Sequence, residues 1–381
     1  MGTRYCAALL MATAAIAGCH RDQPAPPAQP GTAPAPVAAT PQRVVNVYNW
    51  ADYIAPDVVA EFEKTTDIKV NYDTFASQEM LETRLLAQKS GYDVVVVASN
   101  VLERLVPIGV FRKLDYGALP GRRNLDEELM AALAKFDPGN EHAVGYLWGT
   151  TGIGYDARRV RELAPDAPTD SWRLVYDPRI VAKLAGCGVS VADAPSEVIA
   201  TALMSLGRDP NQLSPEALAA ARKVLLGMRP SVRKIDADSQ INDLSGGSIC
   251  VMVTWGTNVV LARARATEAG QKPDFRYVIP REGTIRWIDT LAIPADAPHP
   301  DEALAFIDFL MRPEIAAKNA NFVGGATVNA AALPLIDESL RTDPALYPTA
   351  EVRARLQPLH ARTQDQSRDE NSLWTAFQTG P

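Results

Sequence analysis

The side chains in this chain best suited to chemistry are an indole and a carboxylate two positions apart, Trp287 and Asp289. They stand in the run Ile285-Arg286-Trp287-Ile288-Asp289-Thr290-Leu291-Ala292-Ile293-Pro294, which follows a Pro-Arg-Glu-Gly turn signal at 280–283 and reads as a strand. Alternation along a strand sends Trp287 and Asp289 to one face, and Arg286 and Ile288 to the other. An indole beside a carboxylate is a natural receptor for an alkylammonium. The carboxylate takes the charge, and the ring face adds roughly 0.5–2 kcal/mol of cation–π attraction. The plainer reading is a core Trp next to a turn Asp. Three other stretches carry related groups: Trp50 two residues before Asp52, Trp255 three before Asn258, and Glu197 just after a short apolar run at 188–192. Taken singly, Asp52 could be a turn residue, Glu197 a helix N-terminal charge stabilised by the dipole, and Trp255 a core ring.

Signals for catalysis are weak. The histidines (His20, His142, His299, His360) form no His-Glu-x-x-His pattern, and there is no Gly-x-Ser-x-Gly elbow or phosphate-cradling loop. Paired carboxylates in a cleft could serve glycoside hydrolysis, and nothing local separates a catalytic acid from an ammonium anchor. Binding without chemistry is the reading adopted, with no catalytic residue, metal or cofactor assigned.

The elements that must hold these groups follow from periodicity. Residues 44–50 read as a strand, and Pro56 opens a helix carrying Val58, Val59 and Phe62 on one side. Residues 68–75 alternate as a strand. Ser77 can cap a helix containing Met80, Leu81, Leu85 and Leu86, which Gly91 closes off. Val94-Val95-Val96-Val97 is an unbroken apolar run, as in a strand of a parallel sheet buried on both faces. This βαβαβ order predicts an α/β fold, and a second set lies between about 188 and 280, with helices near 196–206 and 215–228 and a strand at 249–254. Ligands of open α/β sheets sit at the carboxyl ends of strands, where Trp50, Asp52, Trp255 and Asn258 fall.

The first residues read as a targeting segment. Arg4 precedes an apolar run from Ala7 to Ala17 that ends Ile16-Ala17-Gly18-Cys19, so residues 1–18 are expected to be a lipoprotein signal peptide, with lipid on the Cys19 sulfur. Residues 19–42 are rich in Pro and Ala and are expected to form an extended tether. Arg4, Arg21 and Asp22 carry +1 in the first 42 residues, so the net charge of −7 leaves −8 on the remainder. That acidity argues against nucleic acid and suits a cationic ligand. About 339 residues exceed one core and predict two lobes. For an exported protein, Cys187 and Cys250 are the right number for one disulfide, closing a loop of about 60 residues worth roughly 3–4 kcal/mol.

Five stretches, in order, resemble the putrescine/spermidine-binding proteins of bacterial ABC importers. They are Asn49-Trp50-Ala51-Asp52-Tyr53-Ile54-Ala55-Pro56-Asp57, Thr150-Thr151-Gly152-Ile153-Gly154-Tyr155, Asp193-Ala194-Pro195-Ser196-Glu197-Val198, Ile241-Asn242-Asp243-Leu244 and Trp287-Ile288-Asp289-Thr290-Leu291-Ala292-Ile293-Pro294. The resemblance implies a two-lobed periplasmic solute-binding fold of type II, with a hinge crossed more than once. It implies a first lobe of 43–149 with 288–323, and a second of 150–287 with 324–381. It also implies a Cys187–Cys250 disulfide and a polyamine pocket of Trp50, Asp52, Glu197, Trp255, Asn258, Trp287 and Asp289. The partners implied are a small polyamine and a membrane ABC permease, for a monomer held at a bacterial membrane through Cys19. Ala51, Ala98, Asn258 and Gly325 stand where family members carry hydroxyls or a carboxylate, so the particular amine is left unassigned. A sensory or scaffold lipoprotein reusing the same closure is the alternative.

Overall fold

The computed structural model describes residues 42–380 except 76 and 88. The expected signal peptide, tether and Cys19 lie outside the described residues. No helix among the described residues is long and apolar enough to cross a membrane.

The elements begin close to where local chemistry sets them. Strand β1 (Arg43–Trp50) leads into α1 (Pro56–Thr66), with Pro56 at the favoured first helical position and Val58 and Phe62 buried. Strand β2 (Ile68–Phe75) follows. Helix α2 (Gln78–Leu86) starts where the Ser77 side chain accepts from the Met80 amide. Its buried residues are Leu81 and Leu85, whereas Met80 and Leu86 are exposed, so the apolar face is narrower than expected. Strand β3 (Val94–Ala98) is buried at all four valines and runs directly into α3 (Ser99–Leu105). It lies parallel to β1 but antiparallel to its other neighbour, so the sheet is mixed where a parallel one was expected.

Helix α4 (Glu127–Leu133) precedes the long β4 (Ala143–Asp156). Next come β5 (Val189–Val191), α5 (Pro195–Met204), α6 (Pro215–Met228), β6 (Val232–Ile235), β7 (Val251–Trp255) and α7 (Gly256–Glu268). The chain continues through β8 (Phe275–Val278) and β9 (Thr284–Ala292), then β10 (Ala326–Thr327), β11 (Leu356–Pro358) and α8 (Gln364–Thr379). The strands run in the order β2-β1-β3-β9-β4-β7-β5-β6, with β10 and β8 also paired to β4 and β11 to β9.

Two large cores flank this sheet. The first gathers Val45, Phe62, Val94–Val97, Leu147, Trp148, Ile288 and Phe306; the second gathers Ile153, Trp172, Val189, Val198, Leu225 and Phe377. Strand β4 serves both. Its residues from Ala143 to Thr150 pair with β9, and those from Thr151 onward pair with β7. Residues 324–381 are likewise divided. Ala326, Val328 and Leu346 pack in the first core, because β10 pairs with Leu147 and Trp148, whereas Leu373, Trp374 and Phe377 pack in the second.

Cys187 and Cys250 form a disulfide, with Cα atoms 5.5 Å apart, at the starts of the neighbouring parallel strands β5 and β7. The Arg233 guanidinium reinforces this corner by donating to the carbonyl oxygens of Gly186 at 3.0 Å and of Ser248.

Candidate ligand-binding site

Register assembles the site at the point where β4 changes partners. On β9, Asp289 lies opposite Ala98 of β3 and Leu147 of β4, while Trp287 lies opposite Gly149. On the other side of the changeover, Thr151 lies opposite Trp255 of β7. A Cβ on Gly149 would come within 2.3 Å of the Trp287 ring, so only glycine lets that indole lie flat against β4. Gly152 has the same role for Tyr277, whose phenol oxygen would stand 2.7 Å from a Cβ there.

Asp289 is 7% exposed and accepts a 2.7 Å hydrogen bond from the Tyr53 hydroxyl. Tyr53 is steadied in turn, because its carbonyl accepts from the Tyr146 hydroxyl at 2.7 Å. Burial pushes the Asp289 carboxyl up to about 7; the Tyr53 bond opposes that shift, and the nearby charge of Glu197 adds to it. The Tyr53 phenol is driven well above its ordinary value by burial first and Asp289 second.

Glu197 stands in the first turn of α5, a helix buried from Val198 to Met204, where the dipole favours an anion. Its Oε2 accepts from the Trp255 indole N–H at 2.8 Å and from the Thr151 hydroxyl. Burial raises its pKa, and those two hydrogen bonds hold it back. Two carboxylates therefore meet across the β4 changeover, one beside each core, close enough for one to feel the other. In the ligand-free protein burial disfavours the charged form of each. A bound cation would favour that form, because a buried anion is stable only when paired.

The other expected site residues occupy distinct environments. Trp50 is partly buried and packs at 4.5 Å from Phe75. Asp52 is exposed in a left-handed turn with φ 54°, and among the described residues no hydrogen bond or ion pair joins it to Asp289 or Glu197. Its charge reaches Tyr72, whose hydroxyl donates to the Trp50 carbonyl. Asn258, in the first turn of α7, donates its amide to Thr254 at 3.1 Å and to Gln240 at 3.4 Å. It thus belongs to a buried polar cluster that also contains Ser190. Arg286 points away from Asp289, as alternation along the strand requires, and lies 3.7 Å from Glu128.

Tyr53, Tyr146, Thr151 and Tyr277 were not among the expected residues. Tyr53 and Thr151 lie inside two of the quoted motifs, next to residues that were chosen. Tyr146 and Tyr277 carry no local signal, because their partners Tyr53 and Thr150 are 93 and 127 positions away.

Comparison with known proteins agrees with this architecture. Residues 57–349 match the family described as bacterial extracellular solute-binding protein. The putrescine-binding periplasmic protein of Pseudomonas aeruginosa is 44% identical over 346 residues, covering 90% of this chain and 94% of that protein. The putrescine-binding periplasmic protein of Escherichia coli is 44% identical over 344 residues, covering 90% and 93%. Among solved structures, the spermidine/putrescine ABC transporter substrate-binding protein of Streptococcus pneumoniae aligns with a TM-score of 0.75 at 27% identity, over 88% of this chain and 99% of that one. These relatives are binding proteins of transporters rather than enzymes, and the fold is the two-lobed α/β type II architecture. The chain belongs to the bacterial extracellular solute-binding protein family.

Proposed function

We propose that this protein captures an elongated organic dication of the polyamine class between its lobes and hands it to a membrane ABC permease. The observation that carries the reading is the pair of inward carboxylates, the buried Asp289 and the partly buried Glu197, on either side of the β4 changeover beside Trp255 and Trp287. A diamine needs an anion near each end and an apolar, aromatic slot for the methylenes between, and this set supplies both. The similarity to putrescine-binding proteins of two bacteria supports the same assignment.

Asp289 takes one ammonium and Glu197 the other, with Trp50, Trp255 and Trp287 flanking the chain. Asn258 offers its carboxamide oxygen, since its amide hydrogens are engaged elsewhere. Asp52 supplies a further negative charge from the exposed turn after β1. We assign the lobes as 43–149 with 288–323, and 150–287 with 324–381. The packing of Ala326, Val328 and Leu346 in the first core favours a later second boundary, nearer α8. We further propose a monomer in the periplasm, anchored by lipid on Cys19 through the tether.

Calorimetric titration of ligand-freed protein with putrescine, cadaverine, spermidine and agmatine tests the reading. One-to-one binding of at least one amine is expected. Absence of heat with all of them, from folded protein, rejects the polyamine assignment.

A further inference from the structure

One buried acid has no part in ligand contact as described above, yet it lies directly behind the ligand carboxylate. Glu370, on α8, is 2% exposed, although most of that helix is polar. Its Oε1 accepts from Arg362 Nε at 3.0 Å, and the Arg362 side chain is itself 7% exposed. Its Oε2 accepts from the Ser196 hydroxyl at 2.8 Å. Ser196 immediately precedes Glu197. Helix α5 has no side-chain cap on Ala194, so its first turn relies on other groups for its position. Trp374, one turn further along α8, adds a second tie by donating to Asp193 at 2.9 Å.

The same acid is linked to the first lobe. Two residues before Arg362, the His360 ring pairs with Glu103 of α3 at 2.9 Å, and the Ala361 amide donates to the other oxygen of Glu103 at 2.7 Å. Asn211 grips this segment from the second-core side, accepting from the His360 amide at 2.9 Å and donating to the Pro358 carbonyl at 3.0 Å. Helix α3 begins at Ser99, next to the residue paired with Asp289. A contiguous chain of contacts thus runs Glu103–(His360, Ala361)–Arg362–Glu370–Ser196–Glu197, from an element beside one site carboxylate to the backbone of the other.

A buried ion pair is a poor source of net stability, because desolvation cancels most of its attraction. Geometry is what it supplies well. We propose that Glu370 is a positioning residue for ligand binding: held by Arg362, it fixes Ser196 and hence the first turn of α5, aiming Glu197 at the cation. This inference rests on the reading of Glu197 as a ligand anchor.

The test is a double-mutant cycle read by putrescine calorimetry and by thermal unfolding of the ligand-free protein. Ser196→Ala should weaken putrescine about tenfold through misplacement of Glu197, and it should also lower the unfolding midpoint modestly, because the buried Glu370 carboxylate loses a hydrogen bond. Ser196→Thr, which keeps the hydroxyl, should bind as the natural protein does. In a Glu197→Gln background, Ser196→Ala should have no further effect, because a residue acting through Glu197 loses its influence with it. Glu370→Gln should behave like Ser196→Ala; if it unfolds the protein, the serine variants still decide. Wild-type affinity in Ser196→Ala, or a full additional loss in the Glu197→Gln background, overturns the positioning role alone. Unchanged affinity in Glu197→Gln overturns the ligand reading itself.

Discussion

A carboxyl held at about 7 makes ligand capture depend on pH in a definite direction. Below that value Asp289 is mostly protonated and offers an ammonium no charge, so affinity for a diamine should rise as pH climbs through about 7 and then level off. Stability of the ligand-free protein should move the other way. The folded state holds the Asp289 proton more tightly than the unfolded chain, so the stabilisation is complete below the unfolded value of about 4 and is lost as pH rises to about 7. Titrations and melts across that range check both slopes; parallel slopes would show that Asp289 is not the group responsible. A second prediction concerns Gly149. Alanine there should displace the Trp287 ring, lowering stability by roughly 1–3 kcal/mol, the usual cost of overpacking, and weakening putrescine; equal affinity would show that the indole has room to spare. Strand parity alone separated Trp287 and Asp289 from Arg286, and the Arg286 guanidinium does lie away from Asp289, beside Glu128. The Tyr53–Asp289 bond was not legible: it spans 236 positions, and a tyrosine beside a turn acid gives no sign of which one points inward.

At the scale of elements, residues with strong local rules were read well. Pro56 opens its helix at N1 and Ser77 caps the next, as expected; Pro195 and Pro215 open helices and Ser214 caps one by the same rules, which the sequence reading did not use there. The short strands β8, β10 and β11 escaped notice because two to four residues carry no usable period, and what fixes them is pairing to β4 or β9. Only tertiary pairing could show that β3 has an antiparallel neighbour, since a doubly buried strand reads the same either way. The Cys187–Cys250 bond joins β5 to β7, the pair whose ends lead to Glu197 and Trp255. Reduction should therefore cost roughly 3–4 kcal/mol of stability, from the chain entropy restored to the unfolded state. Denaturant melts with and without reductant check this; coincident curves would mean that the cross-link does not restrict the unfolded chain as the entropy account requires.

For the molecule as a whole, Asp289 and Glu197 stand beside two different cores, with β4 running between them. A dication held by only one half leaves one ammonium unpaired, so the complete complex is favoured when the halves close on it. Putrescine should thus reduce the solution radius of gyration measured by X-ray scattering, and Glu197→Gln should blunt the change; the same radius with and without saturating ligand would show that closure is not coupled to binding. The two-lobed plan was legible from length and from the repeated strand–helix pattern. The division of residues 324–381 between the cores was not, because it depends on β10 reaching back to Leu147 and Trp148. The most direct test of the central claim is a putrescine titration of Asp289→Asn at about pH 8, beside the natural protein. The variant should bind at least about 2 kcal/mol more weakly, near thirtyfold, because one buried ammonium loses its anion. Wild-type affinity in that variant would contradict the account.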